Sequence, residues 1–289
     1  MTLDGELITI DERPALRFER RYPHPVERVW RAVTEPDELA AWFPSAVVGE
    51  RAVGAELVFD DDAQRAEAHE KGEPTRADGP AFTGRVIAYD PPTVFSFSWG
   101  GEVLRFELHP DGDGTRLLFT QVLSHRSAAA RNGAGWHGCL AGLDALLGAP
   151  AADPDDGFAA YQDFVDEMGP ERGAPDPGRP GALTWELGHH VGPERVRDAV
   201  SEPDQVEQWG GAARADDHVH WDIRSAATGS TVRITVDGAA DDPKLAAAWH
   251  ALVVQLDMYL AADTIVPVDA ERFDIVLGDP DDLDDTDAY

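Results

Sequence analysis

The sequence predicts an α+β fold in which an antiparallel sheet curls around one long helix. Three observations predict it. Within Gly133–Leu147, residues Trp136, Cys139, Leu140, Leu143 and Leu147 recur at i, i+3, i+4, i+7 and i+11, a spacing that gathers them on one helix face. Upstream, Thr93–Trp99 and Leu104–Leu108 alternate apolar and polar residues, the period of strands that bury one face. The third observation is a recurrence. Trp136-His137, Leu143-Asp144 and Leu147 return at the same internal offsets as Trp249-His250, Leu256-Asp257 and Leu260. A helix with a broad apolar face must lie against a flat apolar surface, and alternating strands supply one.

The elements follow in order. Leu7–Ile10 and Ala15–Tyr22 read as strands around an Asp11–Pro14 turn, with Leu16 and Phe18 on one face. Pro25 opens a helix at its first position, where a missing N–H costs nothing, and Val26, Val29, Trp30 and Val33 form its apolar side. Thr34-Glu35-Pro36-Asp37 stops it and starts a second short helix ending in Trp42-Phe43-Pro44. Strands are expected near Ala46–Val48 and Glu56–Phe59. Asp60–Pro80 is charged and without periodicity, an unusually long loop for a compact domain. Phe82–Tyr89 is a strand closed by Asp90-Pro91-Pro92, and Phe95, Phe97 and Trp99 share the face of the next. Gly100-Gly101 reads as a hairpin turn, after which Leu104, Phe106 and Leu108 alternate with Arg105, Glu107 and His109. Asp111–Gly114 turns the chain again, and Leu117, Phe119 and Gln121 share a face before the long helix. A cavity is expected between sheet and helix, lined by Phe95, Phe97, Trp99, Phe106, Phe119, Trp136 and Leu140. Phe158, Tyr161, Phe164, Val165 and Met168 then form a second apolar stripe, read as a tail helix on the first domain. Gly169–Gly181, rich in Pro, Gly and charge, marks a domain boundary.

Several short motifs stand in a specific order: His24-Pro25-Val26-Glu27-Arg28-Val29-Trp30, Thr34-Glu35-Pro36-Asp37 with Trp42-Phe43-Pro44, Phe82-Thr83-Gly84-Arg85-Val86, Asp90-Pro91-Pro92, Trp99-Gly100, Gly114-Thr115-Arg116-Leu117 and Gly135-Trp136-His137. With these motifs, residues 15–150 resemble the START-like, or SRPBCC, superfamily, and within it the branch related to the activator of heat-shock-protein-90 ATPase. The resemblance implies a helix-grip fold, a curved seven-stranded antiparallel sheet around a long C-terminal helix. It implies no single activity, because the superfamily includes lipid carriers, hormone receptors, cyclases and co-chaperones.

The second copy is shorter. Glu27, Arg28, Val29, Ala32, Val33, Glu35, Pro36, Asp37 and Trp42 recur as Glu194, Arg195, Val196, Ala199, Val200, Glu202, Pro203, Asp204 and Trp209, a shift of 167. Trp136 and Trp249 differ by 113, so 54 residues of the first copy are missing from the second, between Trp209 and His218. They correspond to the middle four strands. In the family's sheet the first, last and next-to-last strands are neighbours, and these are the ones that remain. The expected layout is a full helix-grip domain with tail helix over 1–169, a linker over 170–182, a truncated copy of about three strands and one long helix over 183–278, and an acidic disordered tail over 279–289. The truncated copy should enclose no cavity. Its penultimate strand should have a free edge, to be covered by Thr264–Val268, by Phe273–Leu277, by the first domain, or by a second chain in a homodimer.

The net charge of −31 argues against a nucleic-acid partner, which needs clustered Lys and Arg, and disfavours docking on anionic lipid. The single cysteine, Cys139, excludes an internal disulfide and a Cys-based metal knuckle, and its place on the helix predicts burial. Met1–Glu12 has no basic n-region of a signal peptide, and Leu245–Ala262 is interrupted by His250, Gln255 and Asp257, so a cytoplasmic protein without a membrane span is expected.

The candidate ligand-binding residues are Trp42, Phe95, Phe97, Trp99, Phe106, Phe119, Gln121, Trp136, His137 and Leu140. Gln121 is the telling one, since an inward amide needs a partner, from the protein or from a ligand. His137 recurs as His250 in the copy without a cavity, which favours a structural role such as bonding backbone. His218 and His220 face outward and are separated by a strand from His189 and His190, so no metal site is assigned. Asp60-Asp61-Asp62 and Asp153-Pro154-Asp155-Asp156 read as solvated loop acids. Phosphate-binding glycine loops, HExxH and Gly-x-Ser-x-Gly are absent, and neither catalytic residues nor a cofactor are assigned. The leading expectation is a non-enzymatic protein that binds a small hydrophobic or amphipathic molecule in the first-domain cavity. The alternatives are a chaperone-associated interaction protein, and a cyclase- or hydrolase-type enzyme for which Arg20, His137 and Gln121 are the nominees.

Overall fold

Alternation along the strands and one wide helix face decide the architecture of both parts of the chain. The computed structural model describes residues 5–60, 82–99, 101–150, 163–164, 168, 173–189, 191–209, 218–226 and 229–262. The chain divides into two compact units, with the break after Pro170.

The first unit contains β1 (Gly5–Ile10), β2 (Arg13–Tyr22), α1 (Val26–Thr34), α2 (Pro36–Leu39), β3 (Ala46–Gly49), β4 (Glu56–Asp60), β5 (Phe82–Asp90), β6 (Val94–Trp99), β7 (Glu102–Asp111), β8 (Gly114–Val122) and α3 (Ala129–Leu146). The strands form one antiparallel sheet in the order β1-β2-β8-β7-β6-β5-β4-β3. This is an α+β helix-grip fold with eight strands rather than seven. The additional strand is β1, which hairpins onto β2 with Leu7 opposite Leu16 and extends the sheet at that edge. Register aligns the inward residues into rows. Phe18 lies opposite Phe119, Phe119 opposite Phe106 and Phe106 opposite Phe95, an aromatic row across four strands. The neighbouring row is Leu16, Gln121, Leu104 and Phe97.

Helix α3 lies on this face through Trp136, Leu140 and Leu143, all buried. Its buried face is wider than the apolar stripe alone indicates, because His137, Ala141 and Asp144 are buried too. Cys139 corrects an expectation: it is only half-buried, at the rim of that face, and burial pushes its thiol up to about 11. Asp144 clamps the helix to β2, accepting a 2.7 Å hydrogen bond from the Tyr22 hydroxyl and lying 3.3 Å from Arg20 Nε. The clamp is charge-balanced, which a buried carboxylate requires. Of the expected tail helix, Asp163, Phe164 and Met168 are helical; Phe164 is fully buried, with its ring 6.3 Å from Phe18.

The second unit contains β9 (Ala174–Pro175), β10 (Leu183–His189), α4 (Pro193–Ser201), α5 (Pro203–Gln208), β11 (Val219–Ala226), β12 (Gly229–Val236) and α6 (Pro243–Ala262). Its sheet order, β11-β12-β10-β9, is that of β7-β8-β2-β1 in the first unit. Within the span 170–182, expected as linker, Ala174–Pro175 pair with β10 as β1 pairs with β2. The register repeats as well: Phe18, Phe119 and Phe106 correspond to Trp185, Ile234 and Trp221, each opposite the next.

Side-chain geometry repeats with the register. Trp42 Nε1 donates to the Ala32 carbonyl at 2.9 Å, and Trp209 Nε1 to the Ala199 carbonyl at 2.8 Å, each indole tying its short helix to the one before. Arg28 pairs with Glu38 as Arg195 does with Gln205. The Thr115 hydroxyl donates to the His24 carbonyl at 2.7 Å, and the Ser230 hydroxyl to the Val191 carbonyl at 2.9 Å. Tyr22–Asp144 is answered by His189–Asp257, with Nε2 3.0 Å from Oδ1. Gly5 lies so close over the Phe18 ring that a Cβ would sit 2.5 Å from it, and Gly173 lies over Trp185 with a corresponding 2.7 Å. In both places the backbone crosses an aromatic face that leaves no room for a side chain.

The 61–81 segment, most of the expected tail helix, Gly100, His190, the acidic stretch 153–156 and residues 263–289, with both β-prone segments and the acidic tail, lie outside the described residues.

Candidate functional site

The sheet rows and α3 bring most of the expected ligand residues together. Phe106 and Phe119 stack at 4.8 Å between ring centroids, Phe95 and Phe97 meet at 4.9 Å, and Trp136 sets its edge on Phe119 at 4.6 Å. Trp42 meets Phe106 at 6.0 Å, and Trp99 lies 5.7 Å from Trp136. Phe43, absent from the expected set, sits in the middle, within 6.1 Å of Phe97, Trp99 and Trp136. Phe95, Phe97, Phe106 and Leu140 have no exposed surface, whereas Trp99 is partly exposed. Each such buried ring contributes about 1.5–3 kcal/mol by leaving water, so the cluster also serves as core.

One polar chain crosses this apolar surface. Trp136 Nε1 donates to Gln121 Oε1 at 2.6 Å, and Gln121 Nε2 donates to Glu102 Oε2 at 2.5 Å. Glu102 Oε1 accepts the Ser124 backbone N–H at 3.0 Å, and Asn132 Nδ2 approaches Oε2 at 3.5 Å. Gln121 is completely buried, and its partners are protein groups on α3 and β7. Burial raises the Glu102 carboxyl above the ordinary range, offset in part by the Ser124 and Gln121 hydrogen bonds and by Arg131 and Arg13. Glu102 was missed from sequence. It stands two residues before Leu104, in phase with the inward set Leu104, Phe106 and Leu108, and that phase was the available signal.

The second unit serves as an internal control. By strand register Val236 holds the place of Gln121, opposite Leu183 as Gln121 is opposite Leu16. Counting from the shared Trp-His pair, Leu245 holds the place of Asn132. The clamps that tie helices to strands recur in both units, but Gln121 and Asn132 have no polar counterparts. The fold therefore forms without this pair.

The other nominated residues lie apart. His137 meets Phe164, with the two ring centroids 6.4 Å apart. Neither ring nitrogen has a hydrogen-bond partner among the described residues, so the expected backbone bond is not made. Arg20 Nε lies 3.3 Å from Asp144 Oδ2. In the second unit β12 separates β11, with His220, from β10, with His189. His220 lies 2.9 Å from Asp237, and His189 is in its clamp. No group of three or more His, Cys, Asp or Glu among the described residues is placed to hold a metal ion. Among the described residues, no helix is long and apolar enough to cross a membrane.

Comparison with known proteins gives the first unit its relatives. The family model described as "Activator of Hsp90 ATPase homolog 1-like protein" matches residues 23–148. Among solved structures, CalU16 from Micromonospora echinospora is 19% identical, with 57% of this chain and 96% of that chain covered and a TM-score of 0.43. EF2215 from Enterococcus faecalis, a conserved protein of unknown function, is 19% identical over 57% of this chain and 90% of that chain, with a TM-score of 0.45. The protein encoded by BPP1335 from Bordetella parapertussis is 28% identical over 56% and 89%, with a TM-score of 0.41. No curated protein matches the chain.

Proposed function

Residues 23–148 are a domain of the activator of Hsp90 ATPase homolog 1-like family, and from that premise we propose that the first unit is a non-enzymatic binding module for a small apolar or amphipathic molecule. The ligand enters beside Trp99, the partly exposed member of the ring cluster, and lies against Trp136 with its polar end at Glu102, the partly exposed end of the hydrogen-bonded chain through Gln121. The observation that carries the reading is the Trp136–Gln121–Glu102 chain. Hydrogen-bonding groups set in an apolar wall orient a ligand, and Gln121 is replaced by Val236 in the unit that lacks the wall strands. The apolar rings supply affinity, and the amide and carboxyl supply orientation. A neutral dye such as N-phenyl-1-naphthylamine tests this by titration against the full chain. Saturable binding that quenches tryptophan emission and is lost in Trp99→Ala supports the reading. Absence of saturable binding, or binding indifferent to Trp99→Ala, overturns it.

The family description itself favours a second reading, in which the module engages a chaperone ATPase. A pull-down with the cognate chaperone, followed by an ATPase assay, separates the two. Stimulation by the Trp99→Ala variant equal to that by the parent chain would place this activity outside the ring cluster.

A further inference from the structure

The second unit is cut where the first continues. In the first unit β7 has β8 on one side and β6 on the other, and its inward residues Leu104, Phe106 and Leu108 are 0%, 0% and 1% exposed. Among the described residues, the equivalent strand β11 has β12 on one side and ends the sheet on the other. Its inward residues Val219, Trp221 and Ile223 are each partly exposed. Thus a row of unpaired backbone groups and a half-covered apolar strip lie together at one edge, an arrangement natural proteins normally cover.

We infer that this edge pairs with the same edge of a second copy of the chain, joining two four-stranded sheets into one across a two-fold axis. Charge on the strand selects both the occupant and the register. Although the chain carries −31 overall, β11 itself holds one Asp and one Arg on its outer face, Asp222 and Arg224, which pair with each other within the strand at 2.9 Å. Antiparallel pairing places residues of the same face opposite each other, so a two-fold axis must pass through a residue position. An axis at Asp222 or at Arg224 sets like charges opposite each other. An axis at Ile223 sets Asp222 opposite Arg224 of the second copy, twice, and Ile223 opposite itself. It brings the stretch of β11 from His220 to Ala226 into register, as long a stretch as the axis at Asp222 gives but without the like-charge pairing. Opposite charges across a pair stabilise it and like charges directly opposite destabilise it. The β-prone segments Thr264–Val268 and Phe273–Leu277 are the competing covers, but neither carries a basic residue to meet Asp222, whereas a second copy offers Arg224.

The test is the molecular mass of the full chain by sedimentation at concentrations from about 1 to about 100 μM, the range of weak edge pairing, in about 0.15 M salt, where the Debye length is about 8 Å and net repulsion is screened. The expected result is a concentration-dependent dimer. Asp222→Arg alone and Arg224→Asp alone, both exposed changes, each weaken it about tenfold or more through two like-charge pairs. An equimolar mixture of the two single variants restores association, because each variant now faces its complement. Concentration-dependent protection of β11 amides from hydrogen exchange reports the same contact without mutation. A parent chain that stays monomeric, or single variants that dimerise like the parent, overturns the inference. A monomer that dimerises only after residues 263–289 are removed assigns the edge to the chain's own tail and overturns it equally.

Discussion

The two units hold their helices with the same devices, but the buried carboxylate under each long helix has a different partner. In the first unit Asp144 meets Tyr22 and Arg20; in the second, Asp257 meets His189 through both its carboxylate and its backbone carbonyl. The positions of these carboxylates are dictated by the fold, because they recur, while their partners are free to differ. The converse holds for the Trp136–Gln121–Glu102 chain, which one unit has and the other replaces at Gln121 by Val236. An internal repeat therefore separates residues that build a helix-grip sheet from residues that do something with it.

The largest expected effect breaks the clamp comparison. Asp144→Ala removes the buried carboxylate that meets both the Tyr22 hydroxyl and Arg20 and should destabilise the first unit by about 3–5 kcal/mol. Asp257→Ala should cost the second unit only about 1–3 kcal/mol, since His189 Nε2 also lies 3.0 Å from the Asp257 backbone carbonyl, which the substitution keeps. Denaturant unfolding followed by probes specific to each unit measures both, and equal losses would refute the distinction. Next comes the exchange of residues between units. Gln121→Val, which imports the residue of the second unit, strands the Trp136 N–H and one Glu102 acceptor and should cost about 1–3 kcal/mol. Val236→Gln buries an amide in a place that offers it no Glu102 and should cost a similar amount.

A pH titration sharpens the same contrast. The Glu102 carboxyl titrates above its ordinary range because it is buried. Between the unfolded value, about 4.3, and the raised folded value, the native state binds more protons than the unfolded chain. Stability of the first unit should therefore fall as pH rises through that window. Glu102→Gln should remove this slope from the first unit and leave the second unchanged, as followed by thermal melts across the acidic range. The smallest effect is expected where the units agree. Trp42→Phe and Trp209→Phe each delete one indole hydrogen bond to a carbonyl, at about 0.5–1.5 kcal/mol, and the two losses should match.

Much of the fold was legible because it rests on period and order. Phe95-Phe97-Trp99 and Leu104-Phe106-Leu108 announce their inward faces, and the 167- and 113-residue shifts are consistent with the shorter sheet of the second unit. Contacts made across strands were less legible. That Gln121 is buried followed from its phase with Leu117 and Phe119, but its partner Glu102 lies on another strand behind a hairpin. The pairing Ala174–Pro175 with β10 was hidden by proline and glycine, which read as punctuation even where a short edge strand tolerates them. His137 shows the limit from the other side. Its recurrence as His250 pointed to a structural part, yet the side chain packs against Phe164 instead of bonding backbone. A residue type and a spacing do not specify which neighbour a ring meets.

The most direct test is native mass spectrometry of the full chain as purified, compared with its Gln121→Val variant. The account predicts a small apolar or amphipathic adduct on the parent chain, released on denaturation, at no more than one per chain because Val236 stands in the second unit where Gln121 stands in the first. It predicts loss of that adduct in the variant, with both units still folded. An adduct retained equally by Gln121→Val, or two equivalents bound per chain, would contradict it.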